Sequence, residues 1–210
     1  MTTIKTFNKT QMKAVQSIIN NCYKEEWQFI FVKEGFAYFT DGYRVVRVLP
    51  EMLEESGIKI MNYEDLPKER VQTADRIISL FNEAIEKSNN EHYRINKTAL
   101  KTAYTNKKKE NKIKYPKEVG CRITPTLRFA GYEDNNYKNY ECLRVNPRYL
   151  IDLLVINGGK IVDCYTGETA LKPIVIGNKE DSSVLSMLLP MYSRNYYDYD
   201  MYITDVWEID

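Results

Sequence analysis

One short pattern occurs three times along this chain: an apolar residue, an asparagine, then a helical run with an apolar residue four positions after the asparagine. It reads Phe7-Asn-Lys-Thr-Gln-Met-Lys-Ala-Val15, then Ile95-Asn-Lys-Thr-Ala-Leu-Lys-Thr-Ala103, then, most loosely, Val145-Asn-Pro-Arg-Tyr-Leu-Ile-Asp-Leu153. Asn8, Asn96 and Asn146 suit helix N-caps, because their side chains accept from otherwise unpaired N–H groups. Pro147 suits the first helical position. The apolar residue before each cap ends a strand or staples the helix start. Three copies of strand, cap and helix predict a repeated unit.

The flanks extend the unit. In the first helix Met12, Val15, Ile19 and Cys22 share a face, opposite Lys9, Lys13, Gln16, Asn20 and Lys24. The second helix places Leu100, Ala103 and Tyr104 inward, with Lys97 and Lys101 outward. The third stops at Asn157-Gly158-Gly159, a helix C-terminal signal. Strands are expected at Trp27–Val32, Phe36–Thr40 and Tyr43–Leu49 after the first helix. After the third they are expected at Lys160–Tyr165, Ala170–Ile176 and Ser183–Met191. Pro173 predicts an edge or bulged position. Residues 4–50 and 143–192 thus both read βαβββ. Weaker strands are expected near 120–130 and 136–145. An amphipathic helix is expected over 70–87, carrying Val71, Ala74, Ile78, Phe81 and Ile85 on one stripe. The segments 62–70 and 106–119 are the expected joints.

Composition narrows the function classes. The 210 residues allow one or two domains. Net charge is +1, so a polycation is excluded. The neutrality is local cancellation. Residues 101–117 hold seven lysines against Glu110, while 193–210 hold five acids against Arg194. The lysine run 106–114 is expected to be a solvated loop in preference to a nucleic-acid contact. Cys22, Cys121, Cys142 and Cys164 form no C-x-x-C, so no zinc site is expected, and no other metal or cofactor. The N-terminus lacks the apolar core of a signal peptide and no run is long enough to span a membrane, so a cytoplasmic protein without membrane contact is expected. His92 is the one histidine and reads as structural. Asp41 reads as a hairpin residue, and Asp163 with Cys164 as packing. No P-loop, G-x-G-x-x-G, H-E-x-x-H or G-x-S-x-G occurs, so an α+β enzyme is disfavoured.

The repeated βαβββ unit with basic outward helix faces resembles the bacterial DNA sliding clamp, the β subunit of DNA polymerase III. Glu34-Gly-Phe-Ala-Tyr-Phe-Thr-Asp-Gly-Tyr-Arg-Val45 resembles that family's strand–turn–strand ending in Thr-Asp-Gly-His-Arg. Val145–Leu154 resembles its last helix. Leu171–Ile176 followed by Val184–Met191 resembles its closing strands, which end in a Met-Pro-Met-like sequence. The resemblance implies an α+β fold of clamp-like βαβββ repeats, with antiparallel sheets and helices on one face. It divides the chain into a half-domain (1–65), a connecting helix (66–91), a clamp-like domain (92–192) and an acidic, Tyr-rich extension (193–210).

The same resemblance implies a groove for short peptides of polymerases and other clamp-binding proteins. Thr40, Gly42, Tyr43, Arg44 and Val45 would form one wall, and Met187, Leu189, Pro190 and Met191 the other. The competing expectation is that Met187 and Leu189 are ordinary core. Lys9, Lys13, Lys24, Lys97 and Lys101 would face double-stranded DNA, weakly and without sequence preference. The implied function is a non-enzymatic, processivity-type replication accessory protein, phage-encoded on this reading. The alternative is a clamp-derived decoy that binds replication proteins without encircling DNA. The chain is about half of a full clamp, so a ring would require a homo-oligomer of several protomers. Past Met191, where the family usually stops, Met201–Trp207 alternates and predicts an added strand.

Overall fold

The computed structural model describes residues 6–22, 24–56, 58–89, 91–114, 125–129, 143–169, 171–180, 183–191, 200–202 and 206. All three repeated asparagines cap helices. Asn8 Oδ1 accepts from the N–H groups of Thr10 and Gln11 at 2.9 and 3.1 Å, and Gln11 returns a bond to the Asn8 N–H. This starts α1 (Lys9–Asn20). Asn96 accepts from Thr98 and Ala99 at 3.0 and 3.1 Å, starting α3 (Lys97–Lys114). Asn146 accepts from Arg148 at 3.0 Å ahead of Pro147, the first residue of α4 (Pro147–Asn157). Helix α4 ends where Gly158 and Gly159 take positive φ, a conformation that side chains disfavour.

Eight strands form one sheet: β1 (Ile30–Lys33), β2 (Phe36–Thr40), β3 (Arg44–Val48), β4 (Ile60–Asn62), β5 (His92–Asn96), β8 (Ile161–Tyr165), β9 (Ile174–Ile176) and β10 (Val184–Leu188). Their order is β4-β1-β2-β3-β10-β9-β8-β5. All neighbours are antiparallel except β1 and β4. A second sheet of order β11-β6-β7 joins β6 (Thr126–Arg128), β7 (Arg144–Val145) and β11 (Asp200–Tyr202). Of the strand expected at Met201–Trp207, Met201 and Tyr202 lie in β11, parallel to β6, and residues 203–205 and 207 lie outside the described residues. Most of the expected strands at 120–130 and 136–145 lie outside the described residues.

Strand alternation sends successive side chains to opposite faces of the large sheet. One face buries Ile30, Phe39, Val46, Val48, Ile95, Val162, Cys164, Ile174, Ile176 and Leu188 against α1, α3 and α4. The other buries Phe31, Tyr38, Val45, Val175, Leu185 and Met187 beneath α2 (Lys68–Lys87), through Ala74, Ile77, Phe81 and Ala84. Three helices therefore share one face, as expected of the repeat, and α2 is an addition on the other.

Two expectations are corrected. Residues 106–114 are not a loop: α3 runs through them, because straight-chain lysines and a glutamate lose little rotamer freedom in a helix. Lys107 and Glu110 also pair one turn apart, at 3.3 Å. The strand after Pro173 is neither edge nor bulged. Strand β9 begins at Ile174 and is paired on both sides, and Pro173 stands just outside the ladder, where its missing N–H is not needed. Cys164 is packing, as expected, and burial pushes its thiol pKa far up.

Replacing Phe39, fully buried between sheet and helices, by alanine should cost about 3–5 kcal/mol in urea unfolding. Asn8→Ala should cost about 1 kcal/mol, and Lys13→Ala, on the exposed face of α1, less than about 0.5 kcal/mol.

Candidate partner groove and nucleic-acid face

The structure brings the two expected groove walls together by direct strand pairing. Val45 lies opposite Met187 and Arg44 opposite Leu188, and the Leu189 N–H donates to the Tyr43 carbonyl at 2.9 Å. The pleat then divides the named residues. Val45 and Met187 point to the α2 face and are buried there, with Met187 1% exposed. Leu189 is half-buried at the edge of the same cluster. Pro190 and Met191 follow it, also half-buried, and the Met191 N–H donates to the Arg144 carbonyl at 2.7 Å.

Arg44 faces the opposite side. Its guanidinium is 1% exposed and bonds Asp41 at 2.7–2.8 Å and Asp152 of α4 at 2.8 Å. It also lies 4.3 Å from the Tyr149 ring centroid, and the Tyr43 ring packs against Tyr149 at 5.7 Å, tilted by 31°. The turn between β2 and β3 explains why. Asp41 accepts from the N–H groups of Tyr43 and Arg44, Thr40 Oγ1 donates to the Arg44 carbonyl and accepts from Gly42 N–H, and Gly42 takes positive φ. Thr-Asp-Gly is thus a self-bonded turn whose aspartate also neutralises a buried arginine. The sequence signals the turn, but the partnership with Asp152, 108 residues further on, has no local signature. Tyr43, 47% exposed, is the groove residue most open to solvent.

Beside Leu189 lies a cavity of about 240 Å3, lined by Leu80, Ala84, Leu171 and Pro173, with Glu83, Lys87 and Lys172 around it. Leu80 and Leu171 are exposed apolar side chains. Sequence reasoning missed both, because their proximity depends on where α2 lands.

Of the five lysines expected to face DNA, Lys9, Lys97 and Lys101 line one open depression of about 970 Å3 between the starts of α1 and α3 and the end of α4. Lys97 Nζ donates to the Gly159 carbonyl at 2.7 Å, and burial together with neighbouring Lys101 holds its pKa below the usual lysine value. Lys13 is exposed on α1, and Lys24 lies over the Trp27 ring at 5.3 Å, both away from that depression. His92 is half-exposed, stacks on Tyr165 and bonds Asp163 at 2.8 Å. Among the described residues, no group of three or more His, Cys, Asp or Glu side chains is placed to hold a metal, and no helix is long and apolar enough to cross a membrane.

No protein-family model matches the chain, and no curated protein matches it. Among solved structures it is similar to the DnaN sliding clamp (DNA polymerase III subunit beta) from Bartonella birtlesii bound to griselimycin. The TM-score is 0.52 at 13% identity, over 88% of this chain and 64% of that one. It is also similar to the DNA polymerase sliding clamp from Pseudomonas aeruginosa with ligand, with a TM-score of 0.50 at 10% identity over 92% of this chain and 69% of that one. The chain spans less than two thirds of the length of the first. The architecture is that of the bacterial sliding clamp, at an identity where only the fold carries over.

Asp41→Ala would strand the Arg44 charge in the interior, since half-buried Asp152, which accepts from Nη1 alone, cannot replace the two contacts made by Asp41 Oδ2. Chemical denaturation should show a loss of about 3–5 kcal/mol, as for other buried pairs broken on one side.

Proposed function

We propose that this clamp-folded chain is a replication accessory protein without catalysis of its own. It takes apolar segments of polymerase-like partners at the β3–β10 seam and rests its α1–α4–α3 face on duplex DNA. The observation that carries this reading is the layer of three alike-capped helices on one face of a continuous sheet, in which α3 carries seven lysines against one glutamate. Within the helix only Glu110, paired with Lys107, offsets this charge, and a polyanion is a natural counterpart for the rest. Burial, and after it the neighbouring charge of Lys101, lowers the Lys97 pKa, and a phosphate between the two ammonium groups would relieve that repulsion.

On this reading residues 1–65 act as a clamp half-domain, 66–91 as the connecting helix, 92–192 as the clamp-like domain and 193–210 as an extension. The partner site uses Leu189, Pro190, Met191 and Tyr43 as its accessible rim, with Val45 and Met187 as its floor. Methionine and leucine supply an adaptable apolar surface, and an exposed tyrosine supplies a rigid one with a polar tip.

Retention on circular duplex DNA at low salt, with sizing of the free protein, tests the DNA half. Binding should weaken steeply as salt rises, and Lys101→Glu should weaken it across all sequences and flatten the salt slope by about one unit or more. Calorimetric titration with griselimycin tests the partner half: binding is expected, and Leu189→Asp, a change at a half-buried rim, should abolish it while circular dichroism stays native. Partner binding with no retention on DNA at any salt would favour the decoy instead.

A further inference from the structure

Helix α2 lies across the floor of the partner site. Its Ala74, Ile77, Phe81 and Ala84 share one buried apolar cluster with Val45, Met187, Leu185 and Val175, and Phe81 meets Tyr38 of β2 and Arg47 of β3, so the β3–β10 seam is covered by the chain itself. We propose that α2 is an internal occupant of the partner groove, a helix that must lift from the seam before an apolar partner segment can take its place. This rests on the reading of the seam as the partner site.

The way α2 is held differs from the way the other helices are held. Helices α1, α3 and α4 each begin at an asparagine cap, whereas α2 begins after Pro67, which supplies no capping side chain. Its start therefore leaves backbone donors without the cap worth about 1 kcal/mol elsewhere. Packing beneath it is unfinished. The cavity of about 240 Å3 opens under its C-terminal half, between Leu80, Ala84 and Leu189, and voids forfeit dispersion contacts. Arg47, on the same sheet face, stacks between Phe36 at 4.4 Å and Phe81 at 5.3 Å. Its Nε is buried with no hydrogen-bond partner among the described residues. Lifting α2 would return that donor to water and recover part of the exposed apolar area's cost.

Polar contacts at the rim act as latches. Asp75 accepts from Tyr63 Oη at 2.5 Å and Lys33 Nζ at 3.4 Å, and these bonds hold its carboxyl pKa below the usual range. Glu83 reaches Lys172 at 3.5 Å across the cavity. All of these charged groups are at least partly solvent-exposed, so each latch is weak and can be exchanged for contacts to a partner. A segment able to displace α2 would present a comparable apolar stripe, since it must rebury Val45 and Met187.

Hydrogen exchange by mass spectrometry on the full chain, with griselimycin as the probe, tests this. Griselimycin should speed exchange of amides in 76–87 several-fold while those of β2, β3 and β10 stay protected. Asp75→Asn, which removes the charge from a latch remote from Leu189 and so weakens it, should bind griselimycin about three- to tenfold more tightly than the unaltered chain. If griselimycin binds and Leu189→Asp abolishes that binding, yet 76–87 exchange no faster and Asp75→Asn binds with unchanged affinity, α2 is not the occupant and the groove reading stands. If griselimycin binds neither the unaltered chain nor Asp75→Asn, the groove reading falls and this inference with it.

Discussion

The pairing of β3 with β10 is the contact on which the rest of the molecule depends. It joins strands about 140 residues apart in the chain, from Arg44 opposite Leu188 to Val48 opposite Val184. Loop closure over that distance costs only slightly more than over a shorter one, because the entropy grows logarithmically. Without the seam, β1–β3 and β8–β10 would be two small meanders, each with an apolar face too narrow to stand alone. With it, they become one eight-stranded sheet wide enough to carry α1, α4 and α3 side by side on one face and α2 on the other.

The pleat then assigns the two faces different duties. Even-numbered positions of β3 and β10, such as Val46, Val48 and Leu188, support the capped helices. Odd-numbered ones, such as Val45, Leu185 and Met187, lie under α2. Arg44 shows how strict the division is. It follows Tyr43 and precedes Val45, yet it is buried on the opposite side from Val45, against Asp41, Asp152 and Tyr149. A charge can be kept in that interior because Asp41 is already bonded by two backbone N–H groups of its own turn, leaving little freedom to lose on pairing.

Much of this was legible beforehand because its causes are local. An asparagine that caps a helix does so with atoms two and three residues away, and the three caps stand where the repeated pattern places them. The Thr-Asp-Gly turn, the Gly158-Gly159 stop and the alternation of β11 are equally short-range. Where expectation and structure part, the deciding information was of another kind. Residues 106–114 carry charge that reads as a loop, yet their side chains are good helix formers and the helix simply continues. Pro173 is harmless because the ladder starts one residue later.

The sequence by itself determined the periodic elements, their caps and turns, and the separation of a lysine-rich segment from an acidic tail, since each rests on neighbours within a few residues. The tertiary structure alone decided which strands meet, which side of the pleat each groove residue occupies, that Arg44 finds Asp152, and that α2 settles over Val45 and Met187. Those outcomes turn on apolar burial, which is proportional to area and blind to direction. Such a force makes α2 amphipathic and demands a surface for it, but only the assembled sheet supplies that surface.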